Sequence, residues 1–430
     1  MTLRRLRLLT AGESHGPGLS GILEGVPAGL RVSTASVNAE LARRQHGYGS
    51  GRRMRIEQDR VTWTAGLRYG RTLGSPIAFS IANRDWADWQ ERMAVEATPR
   101  SSRPRPITLA RPGHADLAGA IKYDTDDIRD VLERASARST APRVAAGAVC
   151  RQLLAACHVR IWSFVDQLGP VRAFRGAVEP VELVPVGWVE HDRREPSPLR
   201  CPDPEAEREM IAQVDEAIEA GDSIGGSFVV VAEGMPVGIG SNAEWDTRLD
   251  TAIAAALMGI QAVKGVEIGL GFGVVGRRGS EVHDEVEPGA PGWQRKTNRA
   301  GGTEGGMSNG AAIVARVAVK PVSTLRKPLD AVDLLSGEVR RAHIERSDVA
   351  ILPRAAIVGE AMLALALADA LLADLGGDTV GDLRAAVARR RRRSAGPRAA
   401  RGTAPADEMS MEALPETAAS EAVAVGGTDA

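Results

Sequence analysis

Residues 355 to 373 form the most apolar long stretch of the chain, and Glu360 and Asp369 interrupt it. A membrane-spanning helix needs about 20 predominantly apolar residues with few or no charges. The two acids make this stretch read instead as a helix with a charged face. With 430 residues, 43% of them hydrophobic, the chain can bury at least one large core, and its length allows one to three domains. The opening MTLRRLRLLTAGES is broken by arginine and lacks the continuous apolar region of a signal peptide. No membrane-spanning segment is expected.

Around that helix the pattern alternates between short strands and helices. LRRLRLL reads as a short strand ending in a polar turn from Ala11 to Gly18. Ser33 is a candidate cap for a helix carrying Val37, Leu41, Arg43 and Arg44 towards the loop GYGSGRR. Residues 95 to 113 hold four prolines and are expected to be loop. DDIRDVLERASARSTAPRVAAGAVCRQLLAA reads as helical, with Pro142 an interruption or a second helix start. Residues 166 to 204 are proline-rich and irregular. Next come a helix over EREMIAQVDEAIEAG, a buried strand in SFVVVAEG, a helix over DTRLDTAIAAALMGIQAVKG and a strand in AAIVARVAVK. Residues 386 to 430, five consecutive arginines followed by an acidic, small-residue segment, are expected to be a disordered tail to a domain spanning 1 to 385.

The net charge of −1 argues against a general nucleic-acid or membrane-surface binder. Only Lys122, Lys264, Lys296, Lys320 and Lys327 among 54 basic residues are lysines. Codon bias accounts for that composition, and so does a need for planar recognition of carboxylates and phosphates. Cys150, Cys157 and Cys201 form no C-x-x-C pair and indicate neither a disulfide framework nor a thiolate metal site, so a reducing cytoplasm fits. No histidine pair has metal-ligand spacing, and no metal is expected.

Two short patterns mislead. Gly271, Gly273 and Gly276 match G-x-G-x-x-G, but RRGSEVHDEVEPGAPG cannot open the helix that would hold a pyrophosphate. Gly12, Ser14 and Gly16 match the nucleophile elbow G-x-S-x-G, which would make Ser14 a hydrolase nucleophile, yet Pro17, Gly18 and Gly21 oppose the following helix. His15 and His114 stand out from the other histidines because each sits in a glycine-containing polar turn, GESHG and RPGHAD. Arg44, Arg53, Arg111, Arg134, Arg138, Lys320 and Arg346 lie in or beside similar segments, a distribution suited to a ligand with several anionic groups.

Taken in order, GESHGPGL, LARRQHGYGSGRRM, RPGHADLAGAIKY, ERASARST, GDSIGG, MGIQAVKGVEIG, NRAGGTEGGMSNG, VKPVSTL and RSDVAILPRAAIVGEAM resemble the motif set of the chorismate synthase family, from residue 12 to about residue 362. The resemblance implies an α/β sandwich of helices between antiparallel β-sheets, usually a homotetramer. It implies a 1,4-anti elimination of phosphate from 5-enolpyruvylshikimate 3-phosphate to give chorismate, with reduced FMN required and no net oxidation. No reductase domain is apparent, so an external, NADPH-linked reductant is expected.

By the same resemblance His15 would protonate the departing phosphate, His114 would support the anionic reduced ring, and Asp348 would be the base that takes the C6 hydrogen by way of the flavin. Ser14, Arg44, Arg53, Arg111, Arg138 and Arg346 would clamp the substrate's phosphate and carboxylates. FMN contacts would come from Arg134, Ala135, Ser136, Gln261, Ala262, Gly305, Lys320, Pro321, Val322, Ser323, Thr324 and Arg346. The chain departs from the family in two places. Ser50 stands where GYGRG has arginine, with Arg52 as a substitute clamp, and Ser139 stands where SARET has glutamate. The Ser50 departure keeps a flavin-binding relative with lost or altered lyase activity in view, beside the lyase and the Ser14 hydrolase.

Overall fold

The computed structural model describes residues 4–50, 58–174, 181, 184, 197–289, 292–345 and 348–395. Two antiparallel sheets enclose a layer of helices. The first contains β1 (Arg7–Ala11), β2 (Gly18–Glu24), β3 (Val61–Ala65) and β4 (Ile77–Ala82), in the order β1-β2-β4-β3. Alternation sets its faces: Leu19, Gly21 and Leu23 point inward from β2 while Ser20, Ile22 and Glu24 face out. Gly21 opposes Phe79 on β4, and a Cβ added there would lie 2.3 Å from the ring, so the aromatic fills the space that glycine leaves.

The second sheet contains β5 (Arg160–Leu168), β6 (Val171–Arg172), β7 (Gly226–Glu233), β8 (Val263–Ile268) and β9 (Ile313–Val319), ordered β8-β9-β7-β5-β6. Its central strand β7 is buried on both faces, which is why its sequence is a continuous apolar run. Phe228, Val230 and Ala232 join the main core, while Val229 and Val231 pack with Trp162, Phe164 and Leu270 on the other side.

The longer helices are α1 (Thr34–Gln45), α2 (Asp116–Tyr123), α3 (Arg129–Ala135), α4 (Thr140–Ala156), α5 (Pro204–Ala220), α6 (Leu249–Met258), α7 (Leu352–Leu375) and α8 (Val380–Ser394). The Ser33 hydroxyl accepts the Ser36 N–H at 3.1 Å and starts α1. Pro142 sits in the first turn of α4, where a missing N–H costs nothing. α4 packs against β1, β2 and β4, α7 packs against β5 and β7, and the two helices meet in the middle. A Cβ on Gly147 would lie 2.5 Å from that of Ala361, so glycine sets the distance between them. This is the expected sandwich of helices between antiparallel sheets.

Three expectations need correction. The stretch at 355 to 373 is helical, but its acids are interior rather than on an exposed face. α7 is long and apolar enough to cross a membrane, with mean hydropathy 1.9, yet 94% of its apolar window is buried in protein. The Glu360 carboxylate, fully buried, accepts from Arg43 at 2.9 Å, Arg151 at 2.5 Å, Arg200 at 3.3 Å and Ser163 at 2.6 Å. Burial opposes its charge, but the three guanidiniums hold it far below the usual carboxylate range. Asp369 accepts the backbone N–H groups of Arg4, Arg5 and Leu6 at 2.7 to 2.9 Å, tying the start of the chain to α7.

The helix expected through IQAVKG ends at Met258, and Val263–Ile268 pair with β9 as β8. Edge pairing to β9 overrides the helical spacing. The tail expected from residue 386 is ordered to Ser394, because α8 carries the arginine run. Thr379 and Asp382 form its capping box, Leu383, Ala386 and Val387 are buried, and Arg390 and Arg391 donate to the carbonyls of Gly238, Cys157 and Gly234. Cations in the last turn also complement the helix dipole. Residues 396–430 lie outside the described residues.

Candidate active site

The turn between β1 and β2 carries Ser14 and His15. It needs Gly12 at φ +106°, where a Cβ would meet the Gly18 carbonyl at 2.3 Å. Since Ser14 leads into a strand rather than a helix, the nucleophile-elbow context is absent. The Ser14 N–H donates to the Glu133 carbonyl at 3.1 Å, and the Ser136 hydroxyl donates to Ser14 Oγ at 3.2 Å. His15 is nearly buried, stacked on Trp89 with ring centroids 3.8 Å apart.

Glu133 of α3 faces His15 directly. Its Oε2 accepts the His15 backbone N–H at 2.8 Å, and both its oxygens lie 3.0 Å from His15 Nδ1. Arg129 bridges Glu133 at 2.8 Å and Glu345 at 3.3 Å, and His343 Nε2 lies 3.1 Å from Glu345. Burial pushes Glu133 towards neutrality, but hydrogen bonding and charge from His15, with Arg129 adding, hold it below the usual carboxylate range. Glu345 is likewise held down, to about 2, burial being outweighed by His343 and Arg129.

The second histidine turn is built on Asp116 at the start of α2. Asp116 accepts from the Arg111 backbone at 3.0 Å, from Arg111 Nε at 2.8 Å, and lies 2.5 Å from His114 Nδ1. Burial again works against this charge, and His114 and Arg111 together hold the carboxyl well below its ordinary range. Arg111 Nη1 donates to Thr324 Oγ1 at 2.9 Å, and Lys320 Nζ donates to the Gly113 carbonyl at 3.0 Å, so the VKPVST segment is bound to this turn.

These turns line one cleft of 480 Å3. Ser14, His15, Arg111 and His114 come from the two turns, and Ala135 and Ser136 from the end of α3. Gln261 and Ala262 enter ahead of β8, Lys320, Val322, Ser323 and Thr324 follow β9, and Asp348 precedes α7. A wider depression of 1220 Å3 beside α1 contains Ser50 but none of the His15, His114 and Asp348 set. Asp348 is ion-paired with Arg354. Arg52, Arg53 and Arg346 lie outside the described residues.

Some expected contacts stand back from the cleft. Arg134 donates to the Thr10 and Gly12 carbonyls at 2.8 and 3.1 Å and braces the His15 turn, while Pro321 and Gly305 are not among the cleft-lining residues. Arg44 and Arg138 do not line it either. Both bind Asp59, at 2.8 and 2.5 Å, because buried guanidiniums require an internal carboxylate. Arg138 also donates to Asn83 Oδ1 at 2.8 Å, and Asn83 Nδ2 donates to the Glu13 and Gly16 carbonyls at 3.1 and 2.7 Å. In this structure Arg138 reaches the His15 turn through Asn83, Arg44 is held by Asp59 and Thr140, and neither lines the cleft.

Sequence reasoning missed Glu133, Trp89, Arg129, Glu345, Asp59, Asn83 and Asp116. Only Asp116 carried a local signal, two residues from His114 in RPGHAD.

A flavin fits this cleft. Gln261 Nε2 donates to Ser139 Oγ at 2.7 Å, and its buried Oε1 has no partner, an acceptor set for a ring N–H. Ala262 follows at φ +66°, a costly conformation for a residue with a Cβ, with its carbonyl accepting the Lys320 N–H at 2.9 Å. Ser139, the departure from SARET, is the residue that orients Gln261.

A family model described as chorismate synthase matches residues 6–372. The chorismate synthase of Aquifex aeolicus is 51% identical over 390 residues, covering 89% of this chain and 97% of the relative. That of Desulforudis audaxviator is 52% identical over 379 residues, covering 88% and 95%. A solved crystal structure of chorismate synthase, 41% identical, superposes with a TM-score of 0.73 over 92% of this chain and 99% of that one.

Proposed function

The chain belongs to the chorismate synthase family, and from that premise we propose how its cleft performs the family's reaction and with which cofactor. The activity is that of a phosphate-eliminating lyase of aromatic amino acid biosynthesis, converting 5-enolpyruvylshikimate 3-phosphate to chorismate. The cofactor is reduced FMN, which when bound supplies electron density to the elimination and recovers it. Its reductant comes from outside, linked to NADPH. The enzyme works as a homotetramer in the cytoplasm.

Phosphate leaves only when its growing charge is neutralised. His15 donates the proton it requires, from Nε2, since Glu133 holds Nδ1. Arg111 and Lys320 present cations to an anionic substrate, and Ser14 holds the turn that aims His15. His114, fixed by Asp116, would face the flavin and support negative charge there, and Asp348, in the same cleft, takes up the C6 hydrogen as a proton. Gln261, Ala262, Ser136, Lys320, Val322, Ser323 and Thr324, which line the cleft, would hold the flavin.

The observation that carries this reading is the convergence of His15, His114 and Asp348, from three distant segments, on one cleft. Chorismate formation assayed with chemically reduced FMN tests it. The parent protein turns over and His15→Gln does not. A protein that binds flavin without forming chorismate is the altered relative instead, and fluorophosphonate labelling of Ser14 would restore the hydrolase.

A further inference from the structure

His15 is provided with an acceptor on one side of its ring. A carboxylate only accepts. With both Glu133 oxygens 3.0 Å from Nδ1, that nitrogen carries a hydrogen whether the imidazole is neutral or protonated. Glu133 is itself held on several sides: Oε2 receives the His15 backbone N–H, Arg129 donates to Oε1, and the Glu133 carbonyl accepts the Ser14 N–H. Its side chain is 1% exposed, and Trp89 fixes the plane of the ring it faces. Nothing in the linear sequence pairs residue 15 with residue 133.

We propose that Glu133 is the positioning residue of His15, fixing the Nδ1–H tautomer so that the proton delivered is always the one on Nε2. In the transfer the Nε2–H bond of the imidazolium breaks and an O–H bond forms on the phosphate. The electron pair of the C3–O bond leaves with that oxygen, and the C6 hydrogen departs as a proton to the base. His15 is left neutral in the tautomer that Glu133 already binds, so no hydrogen bond is remade during the step. Arg129 keeps Glu133 in place by spanning it and Glu345, and Glu345 is anchored in turn by His343.

The proposal rests on His15 being the proton donor, and two measurements separate the claims. Magic-angle-spinning 15N spectra of histidine-labelled full-length protein, with the His15 signal assigned by its loss in His15→Gln, report the tautomer directly. Neutral His15 is expected as Nδ1–H, and an Nε2–H ring overturns the proposal without any Glu133 variant having to fold. In steady-state assays with reduced FMN, Glu133→Gln keeps the shape but admits the wrong tautomer. Its kcat is expected to fall by roughly 10²-fold or more, while KM stays within about threefold and flavin still binds. A kcat within about threefold of the parent overturns the role of Glu133. If His15→Gln itself remains active, it is the assignment of His15 as donor that fails.

Discussion

Replacing Glu360 by glutamine removes one charge from the middle of α7 and leaves its volume unchanged. In the parent, Arg43, Arg151 and Arg200 all donate to this fully buried carboxylate, and Glu40 is a second anion shared by Arg43 and Arg151. Breaking a buried ion cluster by removing one partner costs about 3 to 5 kcal/mol, because the remaining charges stay buried without compensation. With an unfolding entropy of about 2.1 cal/mol/K per residue, roughly 370 folded residues give about 0.8 kcal/mol/K, so Tm should fall by about 4 to 6 °C. Differential scanning calorimetry measures it. The physical cause is checked by adding Arg200→Met to Glu360→Gln. Removing one of the cations that the carboxylate balanced should raise Tm above that of the single variant, whereas simple loss of contacts would lower it further. A single variant within about 1 °C of the parent, or a double variant less stable than the single one, refutes the reasoning.

Three further outcomes are expected. Burial pushes Cys150 and Cys201 up to about 12 and Cys157 to about 11, so a thiol reagent at pH 8 should label none of them in the native protein and all three after denaturation. Rapid labelling of the native protein contradicts that burial. Glu345 titrates at about 2 when folded against an ordinary 4.5, so it contributes stability above pH 4.5 that disappears as pH falls towards 2. Thermal melts of Glu345→Gln should lose less Tm over that window than the parent, and equal losses would show that Glu345 is not the group concerned. Finally, Arg52→Ala should lower kcat/KM about ten- to a hundredfold, and Ser50→Arg in the same protein should restore it. If Arg52→Ala has no effect, the substitute clamp does not exist.

Much of the molecule could be read from local pattern. The Ser33 cap predicts α1, the β-branched run predicts β7, and the glycine turns around His15 and His114 mark out two walls of the cleft. Ordered motifs identify the family, since so many strings in sequence leave little room for another reading. The arginines were legible only in part. A guanidinium beside a polar turn looks the same in sequence whether its carboxylate belongs to a ligand or to Asp59, which Arg44 and Arg138 bind in this structure. The start of the tail is hidden for a related reason. A run of arginines resembles solvated chain until the carbonyls of Cys157, Gly234 and Gly238 are brought to it.

The sequence by itself determines most of the elements and the turns that carry the two histidines, because these depend on neighbours a few residues apart: side-chain period, a cap, a positive φ. Partnership across the chain is decided only by the tertiary structure. Glu133 meets His15 across 118 positions, and Glu360 meets Arg43 across 317. Helical period marks a charged residue as lying on one face, but it cannot say whether that face meets water or three guanidiniums. That is decided when α4 and α7 close to the distance Gly147 permits and the sheets cover them from both sides.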